Sequence, residues 1–222
     1  MEIEHTEITE KVYRVLKQMI LNREFIGGEK LDLNTLATQM KISRTPLKDA
    51  INRLVTDGLV EVKPRSGTFI TQITSEDIRY IMELRMMTEL WSLSRLTPDS
   101  ARKLADSLKQ NIELSKRTVE SEPFSYKEFL ELDIGFHQKI VQACDNPKIF
   151  ELYMSKNNFL KFARVFYFKS KERSFKGQTE HEEICTQIGL FQLEEAKSKL
   201  LNHLENSMQT MIDLLEENGG SI

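Results

Sequence analysis

Ile42-Ser-Arg-Thr-Pro-Leu-Lys-Asp-Ala-Ile-Asn-Arg-Leu-Val-Thr-Asp-Gly-Leu59 is the stretch on which the fold turns. It reads as one helix with a marked start and stop. Ser43 is a good N-cap, because its hydroxyl can accept from the free N–H groups of the first turn. Pro46 falls in that turn, where its missing N–H costs nothing. Leu47, Ala50, Ile51, Leu54 and Val55 recur at helical spacing and form the stripe expected to be buried. Gly58 suits the left-handed position that often ends a helix. Arg44, Thr45, Lys48, Asn52 and Arg53 fall largely off the stripe. Such cationic and hydrogen-bonding side chains contact phosphates and base edges in a DNA groove. Taken alone they fit a solvated helix face equally well, so the flanking segments decide.

Upstream, Ile8, Val12, Val15, Leu16, Met19 and Ile20 give a helical stripe that predicts a helix over residues 7 to 22. Gly27-Gly28 marks a turn. Leu33, Leu36, Ala37 and Met40 predict a short second helix, and Lys41-Ile42 a tight turn into the third. Two short helices joined in this way, the second with outward polar groups, are the helix-turn-helix arrangement. Downstream the period changes. Leu59, Val60 and Val62 predict a strand, Lys63-Pro-Arg-Ser-Gly67 a turn, and Thr68 to Thr71 a returning strand rich in β-branched and aromatic residues. A hairpin with Lys63 and Arg65 at its tip, directly after a cationic helix, reads as a wing, and Gly67 would let the backbone approach a ligand closely. The expected DNA contacts are therefore Arg44, Thr45, Lys48 and Arg53 on the helix, with Arg65 and Gly67 in the wing.

The totals agree with a local reader of DNA rather than a coat. The 222 residues carry a net charge of −3, yet Lys41 to Arg65 holds six basic and three acidic residues, or +3. No uncharged apolar run of about 18 residues is present, and the acidic start Met-Glu-Ile-Glu-His-Thr-Glu lacks a signal-peptide core. The expected location is the cytoplasm, with no membrane partner. Cys144 and Cys185 form no CxxC pair and suggest no disulfide framework.

Residues 8 to 71 resemble the DNA-binding domain of the GntR family of bacterial transcription regulators. The resemblance rests on Ser43-Arg44-Thr45-Pro46-Leu47-Lys48-Asp49-Ala50, on Arg53-Leu54 and Asp57-Gly58-Leu59-Val60, and on the wing Arg65-Ser66-Gly67-Thr68-Phe69-Ile70. It implies operator contacts at Arg44, Lys48 and Gly67. This chain departs from the family pattern at Lys48 and Asp49, where Arg and Glu are common. Lysine cannot make the bidentate fork to guanine that arginine makes. Gly27-Gly28 stands where a proline-glycine is usual, and Asn34 where some members have an arginine.

The rest of the chain reads as entirely helical. Residues 72 to 76 join the hairpin to a helix capped by Thr74 or Ser75 and reaching about Leu96. Pro98 starts a second helix to about Val119, with Asp99 or Ser100 near its cap. Ser125 with Glu128 has capping-box spacing for a third, to about Cys144. Asn146-Pro147 opens a fourth, apolar on much of its surface through Phe166. Lys169 to Gln178 reads as a loop, followed by helices over about Thr179 to Phe191 and Leu193 to Leu215. The expected fold is mainly α: an N-terminal winged helix-turn-helix over residues 1–72, a linker over 73–77, and an all-α antiparallel bundle over 78–222.

Three histidines, His137, His181 and His203, fall on three different expected helices. Asp133 lies four residues before His137, on the same face. Facing helices are how bundles build metal sites, and neutral imidazole with carboxylate suits zinc, nickel, iron, cobalt or manganese. Spacing alone leaves open a metal site or three ordinary core and surface histidines. Cys185, one turn after His181, reads as a small core residue.

This second part resembles the FCD-type effector domain found in the FadR-like branch of the same family. The resemblance is carried by Asp133-Ile-Gly-Phe136-His137, Asp145-Asn146-Pro147, Glu180-His181-Glu182-Glu183-Ile184 and His203-Leu204. It implies a divalent metal, zinc first, held by Asp133, His137, His181 and His203, and a small organic acid bound beside it. Arg85, in Glu83-Leu-Arg85, matches an arginine that faces the effector in that family; on spacing alone it pairs with Glu89 one turn on. The function that follows is a ligand-responsive regulator, a repressor, binding an inverted repeat in double-stranded operator DNA as a homodimer and answering to a small carboxylate. Two other functions use the same four residues: a metal-dependent hydrolase, which lacks any motif for a separate base or nucleophile, and a sensor of the metal itself.

Overall fold

The computed structural model describes residues 2–21, 24–155 and 171–217. The chain divides into two compact units at Ser75/Glu76; the second runs Glu76–Leu214, and the end of the last helix, from Leu215, groups with the first. Among the described residues no helix is long and apolar enough to cross a membrane.

The first unit contains α1 (Glu2–Leu21), β1 (Lys30–Leu31), α2 (Leu33–Gln39), α3 (Arg44–Thr56), β2 (Val60–Lys63) and β3 (Gly67–Ile70). It is a winged helix-turn-helix, as the sequence predicts. Two details differ. Helix α1 begins at Glu2, well before the expected residue 7. Its buried stripe is narrower than expected: Val12, Leu16 and Ile20 are buried, while Ile8 and Val15 are exposed. Strand β1 has no signal of its own in the sequence. It pairs antiparallel with β3, Lys30 opposite Phe69 and Leu31 opposite Thr68, and makes the hairpin a three-stranded sheet of order β1-β3-β2.

Helix α3 packs on α1, α2 and β2 through Leu47, Ala50, Ile51 and Leu54, all essentially out of water. Val55, assigned to that stripe from spacing, is exposed. Ser43 is the N-cap residue, but its hydroxyl makes no capping bond. Asp32 caps α2 in the expected manner, accepting from the Asn34 and Thr35 N–H groups. In the wing, Arg65 takes a left-handed conformation at φ 61° and Gly67 sits at φ 128°, where a side chain is strained.

The second unit is helical throughout its described residues: α4 (Ser75–Ser94), α5 (Pro98–Glu120), α6 (Tyr126–Gln142), α7 (described over 147–155), α8 (Lys171–Gly189) and α9 (Leu193–Glu217). Ser75 to Asp77, the last part of the expected linker, form the first turn of α4. Thr97 caps α5 in a capping box with Ser100, with Pro98 at the first helical position. Ser125 caps α6 by accepting from the Glu128 N–H. Helix α5 packs against α6 and α8, and α6 against α8. Residues 95–97, 121–125 and 190–192 are short connections, and the one at 121–125 joins two helices, α5 and α6, that pack on each other.

The expected loop over Lys169 to Gln178 is a correction. From Lys171 onward it is the first half of α8. Its Glu, Lys, Arg and Gln residues are good helix formers, and Ser174, Gly177 and Gln178 are buried small or polar side chains that leave no apolar stripe to read. The expected fourth helix beyond residue 155 lies outside the described residues.

Candidate metal centre and nucleic-acid interface

Three helices bring the four ligand-type side chains to one point. Asp133 and His137 project from α6 one turn apart, His181 from α8 and His203 from α9. One donor atom from each lies within 4.8 Å of all the others, and all four residues are buried. His203 Nε2 stands 3.3 Å from His181 Nε2 and 3.3 Å from His137 Nε2. Asp133 Oδ1 lies 3.7 Å from His181 Nε2. Phe136 stacks flat on the His181 ring, 3.8 Å between centroids, and fixes its plane.

The opposite ring nitrogens decide the chemistry. His137 Nδ1 lies 2.7 Å from Glu89 Oε2, and His203 Nδ1 lies 2.6 Å from Glu180 Oε2. A carboxylate only accepts, so both Nδ1 atoms carry the proton, and when the rings are neutral, as metal ligands must be, both Nε2 atoms present lone pairs to each other. Neutral imidazoles cannot hydrogen-bond in that arrangement. A cation between them can satisfy it. Two nitrogens bound at about 2.0–2.1 Å with tetrahedral angles stand about 3.3 Å apart, so the spacing and the donor set fit a divalent ion. Carboxylates on the far nitrogens are the usual outer support of such ligands.

Glu89, on α4, is itself held from three sides. Its Oε1 accepts from Arg85 Nε at 2.8 Å and from the Tyr153 hydroxyl at 3.1 Å, while Oε2 takes His137. Burial alone pushes the Glu89 carboxyl up, but the Arg85 guanidinium and His137 outweigh it and hold the group down to about 2. Burial pushes the His137 imidazole down to about 4, against the pull of Glu89, which keeps it a neutral donor. Around Glu180 burial again acts upward, and His203 and Arg173 bring the carboxyl below its ordinary value.

Arg85, expected to face an effector, is buried, and its Nε donates to Glu89 Oε1. The pair inferred from their i, i+4 spacing exists, but in the core and not on the surface. Glu89 and Glu180 were not legible as supports. The first lies 48 residues from His137, and the second is one of three glutamates flanking His181. Cys185 is a buried core residue whose thiol reaches the Ala105 carbonyl.

In the first unit, Arg44, Thr45 and Lys48 are exposed at the start of α3, and Arg65 is exposed at the wing tip. Lys63 is drawn back to Glu61 at 2.8 Å and lies over the Phe69 ring. Arg53 is drawn away as well: its guanidinium pairs with Glu10 at 2.6 Å and stacks on Tyr13, 4.1 Å from the ring centroid, bracing α3 against α1. Asp57 adds a second brace, accepting from Lys17 Nζ at 2.6 Å and from the Tyr13 hydroxyl.

A cationic helix and wing joined to a helical bundle with four converging ligand-type side chains define a two-part DNA-binding regulator. Residues 8–70 match the gntR family of bacterial regulatory proteins and residues 80–206 match the FCD domain. The chain belongs to the GntR family of transcription regulators and carries an FCD domain. It is 25% identical over 205 residues to the HTH-type transcriptional regulator YdhC of Bacillus subtilis, covering 92% of this chain and 91% of that protein. Its fold is similar to that of Lar of Listeria monocytogenes, with a TM-score of 0.72 at 18% identity over 93% of this chain and 97% of that one. The bundle is also similar to the Zn2+-bound FCD domain of TM0439, with a TM-score of 0.51 at 23% identity over 64% of this chain and 96% of that one.

Proposed function

We propose that this regulator is a repressor that binds an inverted repeat as a homodimer and is controlled by a metal-assisted organic acid in its FCD domain. The observation that carries the reading is the join itself: one chain couples an exposed Arg44, Thr45 and Lys48 face to a buried Asp133, His137, His181 and His203 cluster. Arg44 and Thr45 stand where α3 enters the major groove and make the base contacts. Lys48 holds a phosphate, since a single ammonium lacks the fork for guanine. Arg65 and Gly67 place the wing along the backbone. Arg53 stays a brace between helices, and DNA contact at that position is left to its neighbours.

In the bundle the four clustered residues hold a divalent metal. Zinc fits the nitrogen spacing best, with nickel, iron and manganese served by the same donor types. The Zn2+ in the similar FCD domain of TM0439 supports that choice. Bound metal supplies a Lewis-acid seat for a carboxylate oxygen. Arg85 acts behind it, holding Glu89 ionised so that Glu89 orients His137. Such a protein works on chromosomal DNA in the cytoplasm.

The test is a gel shift on DNA upstream of the neighbouring operon, with and without candidate organic acids. Wild-type protein should retard that DNA, and Arg44→Ala should cost about 1–3 kcal/mol of specific binding. An unchanged affinity in Arg44→Ala would remove the base contact, and no retardation of any such DNA would remove the operator reading.

A further inference from the structure

We infer that Lys30 is a phosphate contact of the DNA-binding unit, and that it, rather than Lys63, is the lysine with which the sheet meets the DNA backbone. The inference deepens the DNA reading above and rests on it.

Lys30 stands on β1, the strand without a signal of its own in the sequence, so periodicity assigns it no role. The pairing of β1 with β3 gives it a place. Lys30 lies opposite Phe69 on one side, and Glu61 of β2 lies opposite Phe69 on the other. Directly paired residues share a face of a sheet, and successive residues alternate. Leu31, Val60, Thr68 and Ile70 are buried on the core face, so Lys30, Phe69, Glu61, Lys63 and Gly67 make up the outer one. Along that face Lys30 leans toward the wing tip. Its strand partner is Phe69, yet its stem passes over Gly67, two residues nearer the tip: a Cβ on Gly67 would stand 2.7 Å from Lys30 Cε and 3.4 Å from Nζ. The ammonium lies 5.9 Å from the Phe69 ring centroid. A lysine commonly lays its apolar stem on a surface and keeps its charge in water. Here the stem carries that charge to the open side of Gly67, so a phosphate that approaches the wing at Gly67 meets Lys30 Nζ.

Availability separates the two lysines. Both are exposed. Lys63 Nζ is held by Glu61 Oε1 at 2.8 Å. The carboxylates that flank Lys30 in the chain are engaged elsewhere. Glu29 accepts from the Ile26 N–H at 2.8 Å, and Asp32 accepts from the Asn34 and Thr35 N–H groups. Across the sheet, Glu61 is taken by Lys63. Among the described residues no carboxylate pairs with Lys30. A phosphate gains the full attraction of an unpaired ammonium, whereas at Lys63 it competes with Glu61 and stands as a second anion beside it. The path of the chain points the same way. Lys30 comes two residues before Asp32, the cap of α2, and the first helix of a helix-turn-helix crosses the DNA backbone.

The experiment uses the full chain and a fluorescein-labelled, random-sequence DNA duplex. A phosphate contact carries no base information, so the probe need not be the operator. Affinity is read by fluorescence anisotropy between about 50 and 200 mM salt, where its logarithm falls linearly with the logarithm of salt, by about 0.9 for each phosphate contact. Lys30→Gln should make that slope shallower by about 0.9 for each protomer bound, while the circular dichroism spectrum and melting temperature stay as in wild type. Lys63→Gln removes the same charge from the same sheet and should leave the slope unchanged. Lys30→Arg keeps the charge and should keep the wild-type slope. An unchanged slope in Lys30→Gln overturns the inference and leaves the DNA reading standing. An equal loss in Lys63→Gln assigns the effect to the general charge of the wing and overturns it too, as does a loss in Lys30→Arg, which would make the role structural. Wild-type protein that leaves the duplex free at the lowest salt overturns the DNA reading itself, and this inference with it.

Discussion

Glu89 receives three donors at once, and the orientation of His137 depends on it. Replacing it with Gln keeps the shape but removes the charge and can turn an N–H toward His137 Nδ1, which favours the wrong tautomer. Glu89→Gln should therefore lower zinc affinity about 10- to 100-fold, measured by competition with a chelating dye. Unchanged affinity would mean that packing alone orients the ring. Asp57 is the corresponding residue of the first unit. Burial by itself would raise its carboxyl, but Lys17 and Tyr13 outweigh burial and hold it below 3.8. A lowered folded value means that its contribution is present above about 3.8 and is lost as pH falls through the folded value. Asp57→Asn should cost about 1–3 kcal/mol at neutral pH in urea melts. The gap between variant and wild type should close in acid. A gap that persists at pH 2 would assign the effect to packing.

At the scale of elements, the sequence was legible where one period dominates and opaque where partners lie far away. Helix α3 and the wing announce themselves because a 3.6-residue stripe gives way at Gly58 to alternating strand residues. Strand β1 does not, because two residues become a strand only by pairing with β3. The start of α8 was hidden for a related reason. Its inward residues are Ser174, Gly177 and Gln178, so the buried face carries no apolar signal, and Arg173 was lost with it. The four cluster residues were visible as types and spacings, whereas their carboxylate supports were not. Arg53 shows the limit most clearly. Sequence places it off the buried stripe, which is correct, but cannot say that Glu10 and Tyr13 of α1 already hold it. Arg53→Ala should lower the stability of the winged helix only slightly in denaturant melts, because the ion pair is exposed, while leaving the order of preference among operator variants unchanged. A changed preference would return Arg53 to the DNA contacts.

At the scale of the molecule, the metal site and the DNA face lie in different compact units, so any traffic between them must appear as linkage. Metal that binds the folded bundle and not the unfolded chain adds about 2.7 kcal/mol at 100 times its dissociation constant. Adding excess chelator to zinc-loaded protein should therefore lower the melting temperature by several degrees, and a His181→Ala/His203→Ala variant should not respond to zinc or chelator. Operator affinity is the second half of the measurement. If zinc with a carboxylate changes it by some factor, operator DNA must change the affinity for that carboxylate by the same factor, because the two ratios close one thermodynamic cycle. The expected outcome for an inducer is weaker DNA binding with ligand and an equally weaker ligand affinity with DNA, measured at one fixed salt concentration because phosphate contacts make the DNA half strongly salt-dependent. Equal melting temperatures with and without zinc would separate the histidine cluster from the fold. A carboxylate that binds without moving operator affinity would separate the bundle from the reading head.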